Sequence, residues 1–327
     1  MPSLQTLTYY ASSLLAQLPL LSTKPPQPPA SSIDSPRPLT SYSPPPSFFP
    51  PPSSSFIHHC PIDSPTSCHN STAYPDTCCF VYPGGQILLT QFWDTGPSIG
   101  PADSWTLHGL WPDLCDGSYP TFCTEAPMYH NISAILAAAD ERQQRRPTER
   151  RRVGEEAEGG LLDYMKEYWL PNRGSADHFW EHEWNKHGTC VNTLSPSCFS
   201  PSSSSSSSSS SVEETGTETY TPGDEVHAYF SRAVALFRTL DTYTALAAHG
   251  IVPSWTARYR RADILDALRT VTGQEVVIGC RGRVLNQAWY SFNVKGSLQE
   301  GEFVPSAPVG KAGRGGCPEW GVRYLPK

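Results

Sequence analysis

Nowhere in this 327-residue chain do two cysteines stand in a C-x-x-C pair, so a zinc ribbon is excluded at the outset. No apolar run reaches the length of a membrane span, so no transmembrane helix is expected. Positive charge is also in short supply, with 24 Lys and Arg against 31 Asp and Glu and a formal net charge of -7. A module that merely traps nucleic acid is usually basic, because phosphate neutralisation supplies most of its affinity, so that class is disfavoured. Met1 to Tyr10 contains no Lys or Arg ahead of the short apolar stretch Ala11 to Leu21, and residues 1–22 therefore read as a degraded secretory signal.

The chain is rich in proline and serine at its start and in cysteine thereafter. Residues 23–59 form a Pro/Ser-rich segment expected to be disordered. Two further stretches, at about 140–160 and 200–219, read as inserts. The first alternates arginines with glutamates and reads as a solvated loop, and the second holds the serine tract Ser202 to Ser211, a flexible linker. What remains is long enough for one well-buried domain, residues 60–327. All ten cysteines lie within it, an even number that suggests five disulfides and an oxidising compartment. Sequons at Asn70 and Asn131 agree with an extracellular or vacuolar glycoprotein.

Two segments concentrate proton-transfer chemistry. Trp105-Thr-Leu-His108-Gly-Leu-Trp111-Pro-Asp113 and Phe179-Trp-Glu-His182-Glu183-Trp-Asn-Lys186-His187-Gly-Thr-Cys190 bring three histidines, two glutamates and a lysine among tryptophans and cysteines. Imidazoles give and take protons near neutral pH, and a neighbouring ammonium can hold an anion that gains charge in the transition state, so a phosphodiester suits the set. A zinc protease needs histidines at i and i+4, whereas His182 and His187 are five apart, and this spacing argues against a metal; a His178–His182 clip is the remaining metal alternative.

These segments resemble the two active-site signatures of the ribonuclease T2 family, secreted acid ribonucleases. The likeness extends to Cys78-Cys79-Phe with Gln86 to Trp93, to Tyr220 through Leu246, and to Trp289-Tyr-Ser-Phe-Asn-Val-Lys-Gly-Ser-Leu. It implies a metal-free and cofactor-free endoribonuclease that cuts single-stranded RNA, not DNA, through 2′,3′-cyclic phosphates. His187 is then the general base and His108 the general acid, His182 holds the phosphate, and Glu183 and Lys186 stabilise the phosphorane-like state. The family pattern pairs Cys60 with Cys79, Cys68 with Cys115, Cys78 with Cys198, Cys123 with Cys190, and Cys280 with Cys317. It also places a base between Trp111 and Tyr119, read by an ionised Asp113 that favours adenine. A looser second base site would use Gln91, Phe179 and the Pro171-Asn172 loop. Glu183 beside the imidazoles is expected to favour their charged forms and give an acidic, bell-shaped pH profile. A monomer is expected. The alternatives are a catalytically impaired binding or toxin-like relative, which should lack a histidine, and a zinc hydrolase.

Periodicity completes the expectation. Gln86 to Trp93, Trp105 to Trp111, Glu275 to Gly279 and Trp289 to Val294 read as strands, with Thr106, His108 and Leu110 on one face. Leu161 to Trp169, Phe179 to His187, Val226 to Leu240 and Asp263 to Val271 read as helices, the last stopped by Gly273. The fold class is α+β, a single disulfide-stapled domain whose central antiparallel sheet is covered by helices.

Overall fold

The computed structural model describes residues 58–69, 74–144, 160–199, 220–310 and 316–327. The N-terminal 1–57, the serine tract, most of the first insert and Asn70 lie outside the described residues. The strands are β1 (Gln86–Phe92), β2 (Thr106–Asp113), β3 (Tyr259–Arg260), β4 (Val277–Arg281), β5 (Val284–Lys295), β6 (Glu302–Pro305) and β7 (Trp320–Val322). The helices are α1 (Ile132–Gln144), α2 (Leu161–Tyr168), α3 (Ala176–Lys186), α4 (Asp224–Arg238), α5 (Thr242–Ala248) and α6 (Arg261–Thr272). An antiparallel five-stranded sheet in the order β2-β1-β5-β4, with β6 on the far edge of β5, forms the frame, and β3 pairs with β7 in a separate ribbon.

Alternation along the strands explains the core. Ile87 and Leu89 share a face with Tyr290, Phe292 and Val294 across the β1–β5 register, and all five are buried in the hydrophobic cluster. The amphipathic face of α4, with Val226, Tyr229, Phe230, Ala233, Val234 and Phe237, joins that cluster. The Tyr229 hydroxyl donates to the Leu110 carbonyl at 2.7 Å, satisfying a polar group that burial would otherwise penalise. α6 stops at Gly273 as its sequence signals, with φ +77° and its N–H on the Arg269 carbonyl. The disulfides join the pairs that the resemblance implied: Cys60–Cys79, Cys68–Cys115, Cys78–Cys198, Cys123–Cys190 and Cys280–Cys317.

Two expectations need correction. The loop expected from Asp140 begins later, because α1 runs to Gln144. Asp140 accepts from the N–H groups of Leu161 and Leu162 and so satisfies the start of α2, while Arg142 pairs with Asp224 at 2.7 Å. The second correction concerns β2. Its register against β1 runs Thr90 with Gly109 but Gln91 with Leu107, leaving His108 as an extra residue. This β-bulge breaks the regular alternation, so Leu107 and Leu110 enter the core while His108 joins the face that carries Gly109 and Trp111.

Candidate active site

The bulge decides what β2 presents. His108 and Trp111 are three residues apart, a spacing that a regular strand would split between its faces, yet their rings meet edge to face at 5.4 Å. The Trp169 indole N–H donates to the His108 carbonyl at 2.7 Å and holds the bulged backbone. Phe92 and Phe179 flank the His108 ring at 4.1 and 5.1 Å.

α3 supplies the opposite wall. Ser175 caps it by accepting from the His178 N–H, and the helix ends at Lys186, with His187 as its C-cap. Asn185 locks the helix end through two bonds to the backbone of Tyr129. Glu183, wholly buried, faces β2: Trp111 donates its indole N–H to Glu183 Oε2 at 2.9 Å, and Glu183 Oε1 lies 3.6 Å from His108 Nε2 without a hydrogen bond. His187 lies flat against the Trp111 indole, centroids 5.0 Å apart and planes at 18°, and His182 stands 6.4 Å from His187 on the exposed side. The structure thus brings His108, Glu183, His187 and His182 around one indole. Burial lowers the pKa of all three imidazoles, and Lys186 at the helix end adds to it.

Burial sets the charges here, opposite to the expectation that an ionised Glu183 would favour imidazolium. Desolvation pushes the Glu183 carboxyl up to about 8. It draws His108 down to about 3, helped by the charges of His182 and Lys186, and His187 down to about 3, helped by Lys186, His182 and His108. Burial also lowers His182, followed by Lys186 and His178. A carboxyl that stays protonated cannot hold its neighbours charged. In mildly acidic solution Glu183, His108 and His187 are therefore neutral.

The base-binding candidates divide. Asp113 ends β2, nearly buried, and desolvation raises it to about 7. Tyr119 is 67% exposed, beyond a turn closed by Leu114 and Ser118, so it is free of the core. Phe179 touches His108. Gln91 is displaced from the expected second base site. It lies on the core face of β1, fully buried, donating to the Leu240 carbonyl at 3.0 Å and accepting from Thr242 at 2.6 Å, and it cannot reach a ligand. Trp105, Trp180 and Trp184 are buried core residues.

The metal argument from spacing also fails, because it assumed a continuous helix. His187 lies past the last helical residue, and among the described residues His182, Glu183 and His187 each bring one ligand atom within 4.8 Å of the others. His178 is not in that group. A cation there would have to displace the proton that burial retains on Glu183. The other such group, His58, Asp76 and Cys79, has lost its thiol to a disulfide.

Sequence reasoning missed Gly109 and Trp289. A Cβ on Gly109 would stand 2.1 Å from Glu183 Oε2 and 2.4 Å from Trp111 Nε1, so only glycine lets helix and strand meet here. A glycine inside a strand pattern was the available signal for close backbone approach. Trp289 meets the Trp111 ring edge at 6.0 Å.

The family model described as Ribonuclease T2 family matches residues 70–302. Ribonuclease Trv of Hypocrea rufa is 46% identical over 270 residues, covering 82% of this chain and 98% of its own length. Ribonuclease T2 of Aspergillus oryzae is 45% identical over 269 residues, covering 82% and 84% respectively. The crystal structure of Actibind, described as a T2 ribonuclease, has a TM-score of 0.68 at 42% identity, covering 83% of this chain and 99% of its own.

Proposed function

Because this chain belongs to the ribonuclease T2 family and is an RNA-cleaving enzyme, we propose that it cuts single-stranded RNA by internal transesterification. The ribose 2′-oxygen attacks the adjacent phosphorus, the 5′-oxygen of the next nucleotide leaves, and water later opens the 2′,3′-cyclic phosphate. The observation that carries this reading is the convergence of His108, Glu183 and His187 on the Trp111 indole. His187, kept neutral by burial, takes the 2′-hydroxyl proton, and His108 delivers a proton to the departing oxygen. The roles reverse when water opens the cyclic phosphate. Glu183, kept neutral by burial 3.6 Å from His108 Nε2, adds no negative charge beside the phosphate. An incoming phosphodiester anion raises the His108 imidazole, which takes up a solvent proton below neutrality, so the pH optimum falls on the acidic side. His182 holds a phosphate oxygen, and Lys186 and Glu183 stabilise the phosphorane-like state.

Full activity in EDTA is the expected result for this chemistry. Loss of activity in the chelator, with recovery on adding zinc, would shift the mechanism to the His182–Glu183–His187 metal reading.

Trp111 and Tyr119 hold the base 5′ of the cut, Asp113 reads its edge, and Phe179 lines the second base site. The sequence pointed to an ionised acceptor, but with a pKa raised to about 7 Asp113 is neutral in acidic solution and both donates and accepts. That pattern complements adenine, which offers an amine donor beside a ring-nitrogen acceptor. Initial rates on the sixteen dinucleoside phosphates test it. In Asp113→Ala the adenine advantage should fall about tenfold, in the range for a hydrogen bond to a polar or charged partner. In Asp113→Asn it should survive and lose its dependence on pH near 7. An unchanged base ranking in the alanine variant would reduce Asp113 to a strand terminus.

The five disulfides support an extracellular or vacuolar location, and the exposed Asn131 at the start of α1 is open to a glycan. Among the described residues no helix is long and apolar enough to cross a membrane.

A further inference from the structure

At one corner of the fold, arginine and exposed tryptophan collect in a chain whose net charge is -7. Arg260 pairs with Trp320 across the β3–β7 ribbon, and its guanidinium lies 4.4 Å from the indole centroid. Arg283, at the β4–β5 turn, donates to the Trp320 carbonyl at 2.8 Å, and β5 is bridged to Arg323 just past β7. Trp320 is 57% exposed. So is Trp255, at 67%, beside Ser254, whose N–H donates to the Tyr324 carbonyl. Arg269 and Arg281 have carboxylates within 4 Å, in Asp266 and Glu275 for the first and Asp94 for the second. Among the described residues Arg258, Arg260 and Arg283 have none, although Glu319 and Asp263 are near in sequence. Arg258 Nη1 donates to the Thr256 and Ala257 carbonyls at 2.9 Å, and Arg283 donates to that of Trp320, so these guanidinium groups are held by backbone and not by carboxylates. Around an exposed indole they offer phosphate contacts and a stacking platform together.

The register locates this corner relative to the site. Thr106, Phe92, Gln287 and Gly279 form one row across β2, β1, β5 and β4. His108 lies two residues from that row, Trp111 and Asp113 lie further along β2 in the same direction, and Arg281 and Arg283 lie past the opposite side of the row. With the base 5′ of the cut at Trp111 and the scissile phosphate at His108, the strand continues towards the arginines.

We infer that the Arg258, Arg260, Arg283 and Trp320 corner is a second RNA-binding surface, one that holds single-stranded substrate on the 3′ side of the scissile phosphate. The direction rests on the base site proposed above; the binding surface itself does not.

Fluorescence anisotropy with a long 2′-O-methylated oligoribonucleotide, which lacks the attacking hydroxyl, measures binding without cleavage. Arg258→Gln/Arg260→Gln should weaken binding about tenfold and make the salt dependence shallower by about 0.7 in log–log slope per lost phosphate contact. Trp320→Ala should weaken it by a similar factor and leave the slope unchanged. Arg283 is kept, because its bond to the Trp320 carbonyl holds the ribbon. Dinucleoside phosphates are too short to reach the corner and should be cleaved at parental rates by every variant, which also confirms an intact fold. In the parent, extending a substrate on its 3′ side should lower KM, and in the variants it should not. Unchanged affinity and slope, or a KM benefit from 5′ extension only, would overturn the proposal. A parent that failed to cleave dinucleoside phosphates would instead sink the proposed function.

Discussion

His108→Phe and His187→Phe are each expected to lower turnover on RNA by about 10²–10⁴-fold, the usual contribution of a positioned proton-transfer group. Phenylalanine is the informative replacement because it keeps the ring and removes the nitrogens. At position 187 it can still lie against Trp111, where the imidazole sits at 5.0 Å, and at 108 it remains between Phe92 and Phe179. Both histidines are desolvated with pKa values near 3, so the change should not weaken the fold in acidic solution. The double variant should be little worse than either single one, because both groups serve one chemical step. A folded single variant that kept within about tenfold of the parent rate would remove that histidine from the mechanism.

An RNA carrying one 2′-deoxy nucleotide is expected to resist cleavage completely at the linkage that follows it and to be cut normally elsewhere. The attacking oxygen belongs to the substrate, and the site offers imidazoles to move its proton rather than a side chain placed as nucleophile. DNA should therefore be untouched, and phosphorus NMR of a digest should show the cyclic phosphate rise and then decay. Cutting at the deoxy position would rule out internal attack and point to an activated water.

Much of the fold could be read from the sequence because its signals are local. The α4 pattern and the Gly273 stop need only their own neighbours. The buried spacing of Ile132, Leu136 and Ala139 in α1 was equally local, but charged residues at its end drew attention to a loop. What escaped notice depends on a second strand. His108 gains its face from the β1 register, which no inspection of β2 alone supplies. Gln91 looked like a ligand-facing amide, whereas its alternation with Ile87 and Leu89 already assigned it to the core face. The inverted charges at Glu183 follow from how deeply the helix seats against the strand, a depth that the residue types do not reveal.

That depth is set by the missing side chain at Gly109. Because Glu183 Oε2 and the Trp111 nitrogen occupy the space where a Cβ would stand, the gap between helix and strand equals the thickness of a bare backbone. The site therefore has no adjustable spacer at its centre. On the base site proposed above, variation at 113, 119 or 179 would alter which base is preferred, but at 109 every replacement acts as a wedge. Such a wedge would drive the carboxyl from the indole and admit solvent to the buried Glu183, so an enzyme with a larger residue there would lose its chemistry before it lost its fold.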